Sequence, residues 1–154
     1  MDGLRLSRSY RLAIGYGQLF GKTPSSLLIP PLYSDIFHRM MPEDSVYGVW
    51  PKSGEIDIVE SRGNSPKNYS GARDTASSAL HWGLDFNTDK FLQTTNKHYL
   101  RRSDYSEGFH TFGLEWSENY LYTYIDNRLL RVLDVGFGGR NMWTRSGLAK
   151  QGYS

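Results

Sequence analysis

Three carboxylates, Glu55, Asp57 and Glu60, fall within the run SGEIDIVESRG at residues 53–63, among apolar neighbours (Ile56, Ile58, Val59) of the kind that build a buried strand. On a regular strand residues two apart share a face, so Glu55 and Asp57 point together. Glu60, five residues after Glu55, would point the other way. One inserted residue among Ile58, Val59 and Glu60, a β-bulge, restores the phase and aligns all three acids. Carboxylates crowded on one face repel each other and are costly when buried without partners. They make sense at the floor of a partly wet cleft, where glycosidic bond cleavage uses two carboxyls: an ionised one attacks the anomeric carbon and a protonated one donates to the leaving oxygen. Cα atoms four effective positions apart span about 13 Å. A retaining pair needs carboxyls about 5–5.5 Å apart, so the strand must curve and lean the two glutamates together. Asp57, between them, would favour a protonated Glu60 by like-charge repulsion and could hydrogen-bond Glu55. Two other readings stay open on the acids alone: ion pairs with Arg or Lys of a neighbouring strand, and a calcium site. The second is limited because one strand face cannot supply six to eight oxygen ligands.

The elements that must position these acids read as all-β. After Met40, short aromatic and β-branched runs are separated by turn residues. The pattern predicts strands at 46–50, 55–61, 76–82, 108–116, 120–125 and 129–135. The last three form a meander through the turns SEN at 117–119 and DN at 126–127. YLYTYI at 120–125 alternates cleanly, with Tyr120, Tyr122 and Tyr124 on one face, a row read first as cross-strand packing. No convincing helix or internal repeat is present. GQLFGKT at 17–23 superficially suggests a phosphate loop, but it has three residues between its glycines where the motif needs four, and no apolar strand precedes it.

Composition bounds the rest. The chain has 154 residues, 38% apolar, 14% aromatic and 22% charged, which fits one folded domain or part of one. Net charge is +2, with five basic side chains against two acidic in residues 1–41 and no basic stripe beyond, so nucleic acid is not an expected partner. With no cysteine, disulfides, zinc fingers and thiol nucleophiles are excluded. No run approaches the roughly 20 apolar residues of a membrane span, and LAIGYG is too short for a signal-peptide core. The Arg-rich, acid-poor start has only a weak transit-peptide character.

Residues 40–64, MMPEDSVYGVWPKSGEIDIVESRGN, closely resemble the active-site region of glycoside hydrolase family 16, in its laminarinase-like or endo-β-1,3(4)-glucanase branch. EIDIVE fits every position of that family's E-[ILV]-D-[IVAF]-[VILMF]-E signature, and ALHWG at 79–83 and FHTFGLEWSENYLYTYIDN at 109–127 resemble later segments in the right order. The resemblance implies a concanavalin-like jelly-roll β-sandwich with a sugar cleft on its concave sheet. It implies Glu55 as nucleophile, Asp57 as assisting acid and Glu60 as general acid/base. The substrate would be a β-1,3- or mixed β-1,3/1,4-glucan cleaved by two displacements, without cofactor or metal, by a monomeric extracellular protein. Trp50 and Trp82 would be cleft aromatics against which a sugar face stacks, with core filling as the competing role. His81 resembles a cleft-lining position, whereas its chemistry alone reads first as a satisfied strand histidine. Arg62 could pair with Glu60 or with substrate. The family also includes β-glucan recognition proteins that have lost one or both glutamates; this chain has both, although a non-catalytic β-glucan-binding remnant is the alternative reading. The extra Val59 argues against the transglycosylase branch with its shorter spacing.

Two departures accompany the resemblance. Nothing in residues 1–39 resembles the family's N-terminal strands, so that stretch reads as an atypical leader open to disorder, and 40–154 as a partial domain incomplete at both ends. This is the expectation for a truncated or mis-spliced product. NYS at 68–70 is an N-glycosylation pattern, with Asn68 as acceptor.

Overall fold

The chain is described from a computed structural model, which covers residues 26–29, 36–42, 44–117, 119–136 and 141–152. The strands are β1 (Ser26–Ile29), β2 (Ile36–Met40), β3 (Glu55–Ser61), β4 (Thr75–His81), β5 (Asn96–Tyr99), β6 (His110–Trp116), β7 (Tyr120–Ile125) and β8 (Arg128–Asp134). They form two antiparallel four-stranded sheets, ordered β2-β3-β4-β5 and β1-β6-β7-β8. One short helix, α1 (Met142–Ser146), and three 3₁₀ turns complete the described elements.

Alternation explains how the sheets face each other. Along β7, Leu121, Thr123 and Ile125 are buried while Tyr120 is exposed and Tyr122 and Tyr124 are half-buried, the period-two signature of a sheet with one face in the core. From β6, Phe112 and Leu114 join them. From the other sheet come Ile58, Val59, Ala76, Leu80 and Trp82, and all pack into one cluster. The hydroxyls of Ser78 and Thr123, 2.7 Å apart, satisfy each other inside it, one from each sheet. The all-β expectation therefore holds, with the core between the sheets.

The tyrosine row lies on the outer face of β7. Gly113 of β6 sits opposite Tyr124, and a Cβ added there would fall 2.0 Å from the ring, so the glycine exists to let the ring lie flat over the neighbouring strand. The β7–β8 hairpin turns at Asp126, whose φ of 52° is left-handed. Its side chain accepts the Thr111 N–H at 2.8 Å, and its own N–H donates to the Thr111 carbonyl at 2.7 Å, so bonds to β6 hold the turn in place.

Several sequence expectations change here. A strand was predicted at 46–50. Instead the stretch is a succession of turns, with Gly48 at φ 117° and bonds from Gly48 N–H to Ser45 O and from Lys52 N–H to Val49 O. Left-handed glycine geometry and Pro51 break any ladder there. The short polar strand β5 had no recognisable pattern. The division at residue 39 is also corrected. β2 runs across it and pairs with β3, and β1, further upstream, pairs with β6, so at least these parts of the supposed leader belong to the sandwich. The phosphate-loop look-alike and the remainder of 1–25 lie outside the described residues.

Candidate active site

β3 carries the bulge that the spacing of its acids demands. Against β4, Asp57 pairs with Ala79 and Glu60 with Ser77, so Ile58 and Val59 together oppose a single residue. Against β2, the register jumps from Val59 opposite His38 to Asp57 opposite Arg39, again leaving one residue extra. Glu55, Asp57 and Glu60 thus lie opposite His81, Ala79 and Ser77, alternate residues of β4 that share one face. Ile58 and Val59 turn to the core, 3% and 1% exposed. A bulge converts an odd spacing into one acidic face, while burial of two β-branched side chains on the far side holds it in place.

Each acid has distinct surroundings. Glu55 is buried, and its two oxygens are served separately: the Trp50 indole N–H donates to Oε2, and the Arg39 guanidinium lies 3.2 Å from Oε1. Trp50 reaches Glu55 because the turns of 44–54 fold back on β3, where Ser53 Oγ bonds to the Gly48 carbonyl and the Tyr47 N–H. Asp57 is 3% exposed. Burial first, then the negative charges of Glu60 and Glu55 and a hydrogen bond to Glu55, push its pKa up to about 7. Near neutral pH Asp57 therefore holds a proton part of the time and can donate it to Glu55. Glu60 is half-buried at the other end of the face.

His81 lies between two carboxylates. Nε2 is 3.1 Å from Oδ2 of Asp57 and Nδ1 is 2.5 Å from Oδ2 of Asp89. Its ring stacks on Phe91 (centroids 5.0 Å, planes 16° apart) and tilts against Trp50 at 5.1 Å. Phe86, 75% exposed, extends this aromatic edge 6.0 Å from Trp50. At the opposite end Phe37 of β2, 56% exposed, pairs with Glu60. The acids therefore lie on an open sheet face bordered by aromatic rings. Two cavities, of about 290 and 480 Å³, lie elsewhere: one is lined by Trp82, Thr94, Leu133 and Met142, the other by His98, Tyr105, Ile125 and Leu129.

The structure brings Glu55, Asp57, Glu60, Trp50 and His81 together. It separates Trp82 from them. Trp82 follows His81, and successive residues at a strand end point to opposite faces, so Trp82 goes into the inter-sheet core at 7% exposure with the Arg145 guanidinium 5.2 Å above its ring. The expectation of a cleft aromatic at Trp82 is corrected to core filling. Arg62, one residue past β3, is exposed, and among the described residues no ion pair joins it to Glu60. No local sequence signal marks Arg39, Asp89, Phe86 or Phe91 as neighbours of the acids. The first belongs to residues 1–39, where no family-like strand pattern is present. The others lie in a loop whose only local signal is the Asp85–Thr88 capping box. No group of three or more His, Cys, Asp or Glu side chains arranged to hold a metal is found among the described residues.

Residues 40–137 match the sequence pattern of Glycosyl hydrolases family 16. The chain belongs to that family. Among similar proteins, a glucan endo-1,3-beta-glucosidase from Cryptopygus antarcticus is 36% identical over 104 residues, covering 68% of this chain and 34% of that protein. A beta-1,3-glucan-binding protein from Penaeus monodon is 32% identical over 109 residues, 71% of this chain and 29% of that protein. The family 16 chain thus spans about a third of the length of these relatives. The laminarinase catalytic domain from Thermotoga maritima superposes with a TM-score of 0.52 at 24% identity, over 84% of this chain and 44% of that one. This likeness supports the jelly-roll sandwich for the family 16 chain.

Proposed function

We propose that this chain carries the catalytic strand of a retaining endo-β-glucanase acting on β-1,3- or mixed β-1,3/1,4-glucan. One similar relative is named as an enzyme and another as a binding protein, so the choice between them rests on the site. The observation that favours catalysis is the bulge that sets Glu55 and Glu60 on one face with Asp57, its pKa raised to about 7, between them.

The Glu55 carboxylate, held by the Trp50 N–H and Arg39, attacks the anomeric carbon. Glu60 gives its proton to the glycosidic oxygen, the C–O bond breaks, and a glycosyl ester forms on Glu55. Glu60, now ionised, takes a proton from water as the water attacks the anomeric carbon and the bond from that carbon to the Glu55 oxygen breaks. Glu55 leaves as carboxylate and Glu60 is again protonated. Asp57 donates to Glu55 while that group is anionic. Trp50, Phe86 and Phe37 offer ring faces on either side of the acids for pyranose stacking. The polysaccharide is the only partner this reading needs, and an extracellular location goes with such a substrate. No helix among the described residues is long and apolar enough to cross a membrane.

Release of reducing sugar from laminarin by the purified chain tests the proposal. Glu55→Gln and Glu60→Gln should each lower kcat by three or more orders of magnitude, roughly 4 kcal/mol of barrier. The first-formed product should be the β-anomer by NMR. Binding of laminarin without release would make the chain a glucan-binding module instead.

A further inference from the structure

β2 is the outermost strand of its sheet, and in its register with β3 Arg39 lies opposite Asp57 and Phe37 opposite Glu60. Residues paired across two strands share a face, so Arg39 stands on the side of the acids. Its side chain is 58% exposed, yet Nη1 lies 3.2 Å from Oε1 of Glu55, whose own side chain is 6% exposed. Among the described residues this is the one ion pair that Glu55 makes. A long arginine at a sheet margin keeps its stem in water while its charged head reaches a buried group.

The two oxygens of Glu55 differ in what they meet. Oε2 accepts from the neutral Trp50 indole, while Oε1 faces a full positive charge. An ion pair at this separation acts by Coulomb attraction and needs no aligned N–H, and a guanidinium does not lose its proton in a protein. The charge therefore distinguishes the two forms that Glu55 takes in a double displacement. As a carboxylate Glu55 is attracted to Arg39. As a glycosyl ester it is neutral, and the attraction is lost. Ester formation moves an electron pair from the Glu55 oxygen to the anomeric carbon, against the pull of Arg39. Hydrolysis returns that pair to the oxygen as the bond breaks, with the pull of Arg39.

We propose that Arg39 is a positioning residue that acts through Glu55, its charge favouring departure of the Glu55 carboxylate from the glycosyl ester so that the ester stays scarce. The inference rests on Glu55 being the nucleophile of the proposed reaction. Charge, and not side-chain volume, carries the effect: the Arg39 side chain is more exposed than buried and fills no part of the core cluster. The half-reaction it assists is the second one, in which water attacks the anomeric carbon and the Glu55 oxygen is the leaving group.

Arg39→Gln removes the charge and keeps a polar side chain; Arg39→Met is a second neutral variant should the first not fold, and Arg39→Lys keeps the charge. The probe is the dinitrophenyl β-glycoside of laminaribiose. Dinitrophenolate leaves without an added proton, so ester formation is fast and kcat reports ester hydrolysis. In the neutral variants kcat should fall on the order of tenfold. KM should fall by a similar factor because the ester accumulates, leaving kcat/KM within about threefold of wild type. Mass spectra of acid-quenched protein, taken below the wild-type KM, should show a larger fraction carrying one laminaribiosyl group. Arg39→Lys should restore kcat to within about threefold. An unchanged kcat in the neutral variants overturns the inference alone. So does a loss of kcat/KM as large as that of kcat, or a lysine variant as slow as the glutamine one, since either means that shape and not charge was lost. A wild-type chain that releases no dinitrophenolate overturns the proposed function and this inference with it.

Discussion

Strands β3 and β7 belong to the two sheets that share one core, and they use their outward faces in opposite ways. β7 keeps strict alternation: Leu121, Thr123 and Ile125 go in, Tyr120, Tyr122 and Tyr124 go out, and the pairing with β6 runs from Phe112–Ile125 to Trp116–Leu121 without a break. Its outer face is satisfied locally, by a ring over Gly113 and by the Tyr122 hydroxyl donating to Glu115. β3 breaks its period with a bulge and gathers three acids on one face, two of them nearly inaccessible to water. One face is arranged for stability. The other keeps like charges together that would relax if they were free to do so, and local rules are expected to fail in this way at functional sites.

On that contrast, removing a carboxylate from β3 should stabilise the protein while removing the proposed hydrolysis. Asp57→Asn is the sharpest case. Its carboxyl has a folded pKa raised from 3.8 to about 7. Between those values the native state binds a proton that the unfolded state has lost. Wild-type stability relative to Asp57→Asn therefore falls as pH rises from about 4 to about 7, and the difference is level above that. Its full size is at most about 4 kcal/mol, from a shift of roughly three units. Urea melts of both proteins from pH 4 to pH 9 measure it. A difference that stays flat through this window would mean that the acidic face carries no stored cost. Laminarin turnover by the same variant should drop even where its stability has risen.

How much of this was legible in the sequence differs between the two strands. β7 could be read residue by residue because alternation is a local signal. The bulge in β3 could be inferred because the odd offset from Glu55 to Glu60 conflicts with a shared face, and a single extra residue resolves it. Trp82 was misplaced although the same rule applies: His81 and Trp82 are adjacent, so only one of them can face the acids. Partners brought by tertiary pairing were not legible. Arg39 reaches Glu55 through β2, whose proline-broken approach gives no strand pattern, and Asp89 reaches His81 through a loop with no period at all. Sequence periodicity reports which face a residue takes, and it is silent about which distant element arrives opposite.

On the tyrosine side the largest effect should come from steric conflict. Gly113→Ala places a methyl group where the Tyr124 ring lies, 2.0 Å from its nearest atom. The ring must lift from the strand, at about 1–3 kcal/mol. Thermal melts should show that loss at every pH from 5 to 9, since the conflict is steric. The kcat of the acidic face across the core should be unchanged at temperatures where the variant is folded. A change in the pH profile of activity would mean that the two faces are coupled through the sheets and are not independent designs.

The smallest effect separates packing from hydrogen bonding within the tyrosine row. Tyr122→Phe removes only the hydroxyl that donates to Glu115, on a half-buried surface where water can replace the lost partner. The ring stays, 6.5 Å from that of Tyr124. A net hydrogen bond at such a site contributes about 0.5–1.5 kcal/mol, so the variant should lose less than Gly113→Ala. A loss equal to or greater than that of the glycine variant would show that the row is held by its hydroxyl contacts and not by rings lying on the sheet. The contrast with β3 would then be between two polar faces, one ionised and one neutral.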